Sequence, residues 1–181
     1  MLRFMETKNH FTRGDRMKLY IKQRVISFLD SYDVYADNFN KKYTVKAEMQ
    51  DFFKLGAHLH VYDLFGKEKG VIRQKPFQFL PTYEIEVDGQ KLGEIKKQFN
   101  LLKKNFDVNY LGLRVDGDFF GWNYYVFQDE NLVMTISKEV VSLGDAYVIE
   151  FNDPDIEIYG LMLVIAIDAA LFKDRRNGIW N

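Results

Sequence analysis

Cysteine is absent from this chain of 181 residues, and proline is scarce, with only Pro76, Pro81 and Pro154. Without cysteine there can be no disulfide, no thiol nucleophile and no cysteine-ligated zinc, and the composition is typical of a reducing compartment. The charges nearly cancel, since 26 acidic and 25 basic residues give a net charge of −1. No basic excess indicates a nucleic-acid partner. We therefore expect a protein that is cytoplasmic, or peripheral at a membrane, and that binds no nucleic acid.

Long hydrophobic runs are also lacking, apart from one near the C-terminus. Residues 158–172 are mainly apolar, but only ten uncharged residues separate Glu157 from Asp168. A membrane-spanning helix needs about 20 apolar residues, so the run favours a buried core helix over a transmembrane span. The preceding Asn152-Asp153-Pro154 is a typical helix start. The predicted helix covers residues 155–173.

The first residues differ from the rest of the chain. Residues 1–16 are polar and mixed in charge, and they lack the apolar core of about 7–15 residues that a secretory signal contains. We expect this segment to be a flexible or weakly ordered leader. Residues 17–176 are predicted to form a single domain, and residues 177–181 a tail.

A short pattern recurs six times: an Ile or Val, three mostly polar residues, then a bulky apolar residue. The copies begin 20 to 27 residues apart, at Ile21, Val45, Ile72, Ile95, Val115 and Ile136. A second segment, in which apolar and polar residues alternate, follows each copy. Alternation of period two indicates strands with one buried and one wet face, and turn residues such as Asp88-Gly89 separate the units. Six two-stranded units predict twelve antiparallel strands over residues 17–152.

The strand count and the apolar run fit together. Eight-stranded barrels are just filled by their own side chains, whereas wider barrels leave a lumen. An apolar helix, about 10 Å across, suits the lumen of a twelve-stranded barrel. We therefore predict a mainly β fold, all-β with one central helix: a closed 12-stranded antiparallel β-barrel of six hairpin repeats, filled by a C-terminal hydrophobic α-helix.

Several short segments spread over residues 17–173 form a recognisable set. They are Lys22-Gln23, Arg73-Gln74-Lys75, Phe79-Leu80-Pro81-Thr82-Tyr83-Glu84-Ile85, Ile136-Ser137-Lys138, Ser142-Leu143-Gly144-Asp145-Ala146-Tyr147 and Ala166-Ile167-Asp168-Ala169. Together they resemble the bacterial branch of the LURP-one-related family, which shares the Tubby C-terminal-like fold with phospholipid scramblases. The resemblance implies a twelve-stranded barrel around a hydrophobic helix, and it implies no particular reaction. Tubby domains bind phosphoinositides, but their site has no residue-by-residue match here.

Motifs that carry catalysis are not found in the sequence. There is no P-loop, no dinucleotide-binding glycine pattern after a strand and no nucleophile elbow. His58 and His60 have the spacing of two ligands on one strand face, but a metal site needs a third ligand, so a solvated face is favoured. The carboxylate pairs at positions 84/86 and 116/118 are likewise attributed to a wet barrel surface. We predict no catalytic, cofactor-binding or metal-binding residues.

Asp168 is the one charged residue inside the predicted core helix. A buried carboxylate must be paired, hydrogen-bonded or protonated. By alternation, the middle residue of each strand pattern faces the barrel interior, which places Lys97 and Lys138 there. We expect Asp168 to pair with Lys138 or Lys97 in a structural contact.

Two surfaces are candidates for binding. Cations concentrate on the first strands of the units, at Lys22, Arg24, Lys46, Arg73, Lys75 and Lys96. They form either an outward stripe for an anionic headgroup or acidic partner, or ordinary charge decoration that keeps a barrel soluble. Large apolar residues occupy the hairpin loops, which either cap the core or enter a membrane interface; these are Phe28, Leu29, Phe53, Leu55, Phe79, Leu80, Leu101, Leu102, Phe120, Trp122 and Leu143.

These observations favour a non-catalytic barrel domain that serves as a binding or scaffold module for a protein partner or an anionic lipid headgroup, without a cofactor. A small-ligand carrier is an alternative, although the predicted helix already occupies the lumen. An enzyme without a recognisable motif is the other alternative.

Overall fold

The structure is a computed structural model that describes residues 16–26, 29–37, 39–49, 57–98, 105–118, 122–141 and 144–176. Twelve strands are followed by a 3-10 turn at Pro154–Ile156 and one helix, α1, at Glu157–Arg176. The strands are β1 (Met17–Ile26), β2 (Leu29–Ala36), β3 (Lys41–Met49), β4 (Ala57–Asp63), β5 (Glu68–Gln74), β6 (Thr82–Val87), β7 (Gln90–Gln98), β8 (Asn105–Tyr110), β9 (Leu113–Asp118), β10 (Asn123–Gln128), β11 (Asn131–Val141) and β12 (Gly144–Phe151). The six predicted hairpin units are confirmed.

All neighbouring strands are antiparallel, and β1 pairs with β12, so the sheet runs in the order β8-β7-β6-β5-β4-β3-β2-β1-β12-β11-β10-β9. Since all odd-numbered strands run in the same direction, the connections within the six units lie at one end of the barrel, the loop end. The connections between units lie at the opposite end, the turn end. The fold is a nearly closed barrel.

The barrel's two edge strands, β8 and β9, are consecutive in the chain. They are joined by a tight turn in which Leu111 and Gly112 both have positive φ, at 53° and 69°. The sheet order places these two strands at its opposite edges, so the barrel has a seam here where the sequence predicts full closure.

The helix start differs slightly from the prediction of residue 155. Asp153 caps the 3-10 turn, and its side chain accepts a hydrogen bond from the Asp155 amide at 2.9 Å. Because Pro154 opens that turn, the regular helix begins at Glu157 and extends to Arg176.

The predicted alternation sets the two faces of the sheet. On the inner face Ile72 lies opposite both Leu59 and Ile85, and all three are buried. On the outer face, one residue further along, Arg73 lies between His58 and Glu84. Apolar side chains therefore face α1 and polar side chains face solvent.

Helix α1 forms the centre of the core. Residues 161–167 are at most 1% exposed, as expected for a helix that is apolar on every side. Met162 lies against Gly70 of β5, while Gly160 lies against Met134 of β11 and Phe151 of β12. Contacts with strands in different parts of the sheet show that the helix fills the barrel. Each fully buried large side chain stabilises the fold by about 1.5–3 kcal/mol.

The tight contact at Gly160 gives a prediction for stability. A Cβ at this position would lie 2.6 Å from Met134 Sδ and 2.7 Å from Phe151 Cε1. Although alanine has the higher helix propensity, we expect Gly160→Ala to lower the free energy of unfolding by about 1–3 kcal/mol, the usual cost of overpacking. Urea denaturation followed by circular dichroism measures this change. A stability equal to or above wild type would show that the helix does not approach these strands so closely.

Candidate binding surface

The carboxylate of Asp168 is buried in the barrel, where its residue is only 2% exposed. The hydroxyl of Tyr32, on β2, donates a hydrogen bond to Asp168 Oδ2 at 2.5 Å. This bond between an ionisable group of the helix and the barrel wall is one that the sequence analysis missed. Asp168 thus joins the helix to the barrel wall through Tyr32.

Further tyrosines of the wall bind the helix backbone. Tyr83, on β6, donates to the carbonyl of Ala169 at 3.1 Å. Tyr110, on β8, donates to the carbonyl of Tyr159 at 3.2 Å. These two bonds lie near opposite ends of the buried part of α1, so they fix its position along the barrel axis as well as its rotation.

Burial keeps the inner hydroxyl groups protonated. It raises the pKa of Tyr110 far above its ordinary value. The pKa of Tyr124, which is fully buried, is raised first by burial and then by the negative charge of Asp168. A phenol that stays neutral over the physiological pH range remains a hydrogen-bond donor.

The N-terminal end of α1 is held at the turn end of the barrel. Glu157 accepts hydrogen bonds from Lys42 Nζ at 2.6 Å and from the Tyr43 hydroxyl at 2.7 Å, both on β3. The pKa of Tyr43 is raised by burial and by its hydrogen bond to Glu157. A carboxylate in the first turn also complements the helix dipole.

The two lysines named as partners of Asp168 lie at different depths. Lys97 is half-buried on β7, whereas Lys138 is exposed on β11. Pairing of Asp168 with either lysine stays a prediction, and Lys97 is the better placed.

The missed donor, Tyr32, had a signal in the sequence, because a tyrosine also begins the alternating segment at Tyr83, Tyr124 and Tyr147.

On the outer face, carboxylates are interleaved with the cations of the predicted stripe. Arg73 binds Glu86 of β6, and Lys75 binds Glu94 of β7. The hydrogen bond with Glu94 raises the pKa of Lys75, and the same bond lowers the pKa of Glu94. This part of the surface therefore carries charges of both signs.

The other cations of the stripe have varied surroundings. Lys46 lies over the ring of Tyr62 at 5.4 Å. Lys22 is aligned with Asp33 in the β1–β2 ladder. Lys96, which is exposed, is aligned with Thr82 on one side and Asp107 on the other. The backbone of Arg24 lies in β1, but its side chain is outside the described part of the chain. The binding role of the stripe stays a prediction.

The histidines His58 and His60 face outward on β4. His60 Nδ1 lies 2.6 Å from Glu68, and its Nε2 lies 3.6 Å from Glu48. Burial and the nearby charge of Arg73 lower the pKa of His58. Among the residues that the structure describes, no group of three or more His, Cys, Asp or Glu side chains is arranged to hold a metal ion.

At the loop end, the β5–β6 connection presents two aromatic rings to solvent. Phe77 is 87% exposed and Phe79 is 95% exposed. The connection is held at its base, where the Lys75 amide donates to the Thr82 carbonyl at 2.8 Å and the Lys97 amide donates to the Pro81 carbonyl at 3.0 Å. We call Phe77 and Phe79 the aromatic pair of the loop end. Lys75, Lys96 and Lys97 lie beside its base.

The other apolar residues predicted in the hairpin loops have different outcomes. Trp122 is buried and stacks on Tyr147 with a centroid distance of 3.8 Å, so it caps the core. Leu80 is half-buried. The side chain of Leu29 lies outside the described part of the structure, although its backbone belongs to β2. The remaining residues lie outside the described residues altogether; they are Phe28, Phe53, Leu55, Leu101, Leu102, Phe120 and Leu143.

Comparison with known proteins shows which family has this architecture. The sequence model of the LURP-one-related family matches residues 17–168. The chain belongs to the LURP-one-related family. The uncharacterized protein YxjI of Bacillus subtilis (strain 168) is 29% identical over 164 residues, which cover 91% of this chain and 99% of that protein. The X-ray structure of the Arabidopsis thaliana protein AT5G01750 matches with a TM-score of 0.57 at 14% identity, covering 85% of this chain and 91% of that one.

The LURP-one-related match confirms the resemblance found in the sequence, and the Arabidopsis structure supports the fold alone. The family match extends over all twelve strands and into the helix as far as Asp168. In the part of the chain that the structure describes, no helix is long and apolar enough to cross a membrane.

The bond between Tyr32 and Asp168 can be tested through stability. Tyr32→Phe removes the donor to a buried carboxylate, and we expect a loss of about 1.5–3 kcal/mol, since hydrogen bonds to charged groups are of this strength. Urea denaturation at neutral pH measures it. Tyr125→Phe, at an exposed tyrosine of β10, is the matched control and should change stability by less than about 0.5 kcal/mol. Equal effects of the two variants would contradict the assigned role of Tyr32.

The predicted lysine partner is tested by a double-mutant cycle. We expect Asp168→Ala to cost about 3–5 kcal/mol if it leaves a buried lysine unpaired. Lys97→Met or Lys138→Met in the same background should then recover part of the loss, and only the true partner should show this coupling. An additive result with both lysines would refute the pairing.

Proposed function

We propose that this LURP-one-related protein is a non-catalytic binding module that docks the loop end of its barrel on an anionic lipid surface. The observation that carries the proposal is the aromatic pair, Phe77 and Phe79, exposed on a loop whose base is flanked by lysines. The proposal concerns the outer surface, because α1 occupies the space in which a carrier would hold a ligand.

The aromatic pair has the properties of a membrane anchor. Transfer of an almost fully exposed ring from water into an apolar environment is favourable. Full burial of a Phe side chain contributes about 1.5–3 kcal/mol to the binding free energy. Because the base of the loop is held by backbone bonds to β6 and β7, the rings are displayed without further ordering of the chain.

Charge beside the loop supports an anionic surface. Lys75 and Lys96 are near the base of the connection, and each lysine near an anionic bilayer contributes about 1 kcal/mol. The ammonium of Lys75 is bound to Glu94, which reduces its share. Affinity should therefore depend on both apolar insertion and charge, and apolar insertion should contribute more of the binding free energy.

The sequence of the loop-end connections agrees with this orientation. Of the six segments that join the strand ends there, every one contains a large apolar residue in the sequence, such as Phe28, Phe53 and Leu101. The turn end carries polar residues such as Asp88 and Asp129 between the strands, together with the exposed Leu64 and Phe65. The presence of a large apolar residue in every loop-end connection favours that end for contact with a bilayer.

A non-catalytic role is supported by where the perturbed ionisable groups lie. The strongly raised pKa values described above belong to buried tyrosines of the barrel wall, such as Tyr110 and Tyr124. Shifted carboxylates such as Glu94 belong to ion pairs on the outer face. An active site would gather such groups in one concave pocket.

Liposome flotation tests the proposed function. We expect binding to vesicles that contain phosphatidylglycerol and phosphatidylcholine, weaker binding to phosphatidylcholine alone, and a loss of affinity as salt increases. The double variant Phe77→Ser, Phe79→Ser should bind at least tenfold more weakly, since about 1.4 kcal/mol corresponds to a factor of ten.

The matched control is Phe65→Ser, which removes an equally exposed phenylalanine at the turn end, and it should bind as wild type. Lys96→Gln should weaken binding modestly and reduce the salt dependence. If the wild-type protein does not float with anionic vesicles, or if the double variant floats equally well, the proposed function is wrong.

A further inference from the structure

Lys75, the cation that directly precedes the β5–β6 connection, is bound by a carboxylate of another strand. It is followed in the chain by Pro76 and Phe77, and its amide donates to the Thr82 carbonyl at 2.8 Å. Its ammonium group binds the carboxylate of Glu94 on β7. The backbone of Lys75 therefore lies at the loop end, whereas its charge is held on the outer face of the barrel wall.

Strand register shows where this carboxylate lies along the barrel. Thr82, to which the backbone of Lys75 is bonded, is aligned with Lys96 of β7. Glu94 is two residues nearer to the turn end than Lys96, which corresponds to about 7 Å at a rise of about 3.4 Å per residue. The ion pair therefore draws the ammonium group of Lys75 toward the middle of the barrel and away from the aromatic pair.

The carboxylate of Glu94 lies among cations. The hydrogen bond from Lys75 is the main cause that lowers the pKa of Glu94, and the charges of Lys91 and Lys96 lower this pKa further. Lys91 is itself bound to Glu84. Because Glu94 stays ionised at neutral pH, protonation does not release Lys75 there, and only a competing anion can do so.

The ion pair is accessible to such a competitor. The side chains of Lys75 and Glu94 are 34% and 33% exposed, and ion pairs with this access to water contribute little to stability. The lysine side chain has three donors on a flexible stem. A released Lys75 can therefore extend toward the loop end and bind a phosphate group there without a change in the backbone.

We propose that Glu94 is an intramolecular competitor of the lipid surface, which holds Lys75 until a bilayer dense in anionic headgroups displaces it. Glu94 thereby sets how much negative charge a bilayer must carry before the protein binds. The inference rests on the proposed docking of the loop end, and it names the residue that regulates that docking. Bilayers of low negative charge are disfavoured as targets, because they do not displace the carboxylate.

The experiment is flotation of the full chain over a series of vesicles in which phosphatidylglycerol increasingly replaces phosphatidylcholine. Glu94→Gln keeps the size of the side chain and removes its charge. We expect this variant to reach half-maximal binding at a lower phosphatidylglycerol fraction. Where phosphatidylglycerol is sparse it should bind about fivefold more tightly than wild type, as one further lysine at an anionic bilayer provides. Its affinity should also fall more steeply with salt.

Two control variants separate this effect from a general change of charge. Glu68→Gln removes an exposed carboxylate at the turn end, where it binds His60. It should bind as wild type, because the screening length at physiological salt is about 8 Å. In the double variant Glu94→Gln, Lys75→Gln the gain should disappear, since the lysine that Glu94 holds is missing. The substituted side chains are at least partly exposed, so the variants should fold as wild type, which circular dichroism checks.

The outcomes distinguish this inference from the proposed function. If the wild-type protein floats with none of the anionic vesicles, docking of the loop end is wrong and the inference falls with it. If wild type floats but Glu94→Gln binds no more tightly, or if Glu68→Gln gains as much, only the role of Glu94 is overturned. A gain that persists in the double variant would likewise refute competition for Lys75.

Discussion

The burial of α1 inside the ring of strands is the constraint on which the rest of the structure depends. Twelve strands enclose more space than their own inner side chains fill, and the apolar helix would be insoluble without that enclosure. Residues 161–167, at most 1% exposed, occupy the space. Neither component is complete without the other, so barrel and helix are expected to fold cooperatively.

Apolar contact alone would leave the helix free to slide and rotate, and the wall tyrosines supply the directional contacts. Tyr83 and Tyr110 donate to helix carbonyls, and Tyr32 donates to the buried carboxylate of Asp168. Tyrosine suits this position because its ring packs in the core while its hydroxyl reaches a polar atom. Buried polar groups that are hydrogen-bonded in this way specify one arrangement of helix and sheet.

A filled barrel has consequences for function. Because α1 takes the lumen, ligands are expected on the outer surface, and the two ends of the barrel differ there. The loop end displays Phe77 and Phe79, and the turn end displays Leu64 and Phe65 among charged residues of both signs, such as Lys67 and Asp88.

Much of the fold follows from local patterns. Alternation of period two identifies all six hairpins, because successive side chains of a strand point to opposite faces of the sheet. The run from Ile158 to Phe172 identifies the central helix, because a segment that is apolar on all sides must be buried. The family resemblance, which rests on short segments such as Phe79-Leu80-Pro81, agrees with the match over residues 17–168.

Tertiary structure decided the features that depend on distant residues meeting. Tyr32, which donates to Asp168, is 136 positions away in the chain, so the recurring tyrosines of the sequence do not show which of them binds this carboxylate. The interleaving of Arg73 and Lys75 with Glu86 and Glu94 depends on strand register, as does the seam between β8 and β9. Exposure likewise separates Phe79 from Trp122, which are similar in sequence context but lie in solvent and in the core, respectively. The sequence by itself determined the strands and the buried helix because those follow from periodicity and hydrophobicity, whereas contacts and exposure follow from the packing of the whole chain.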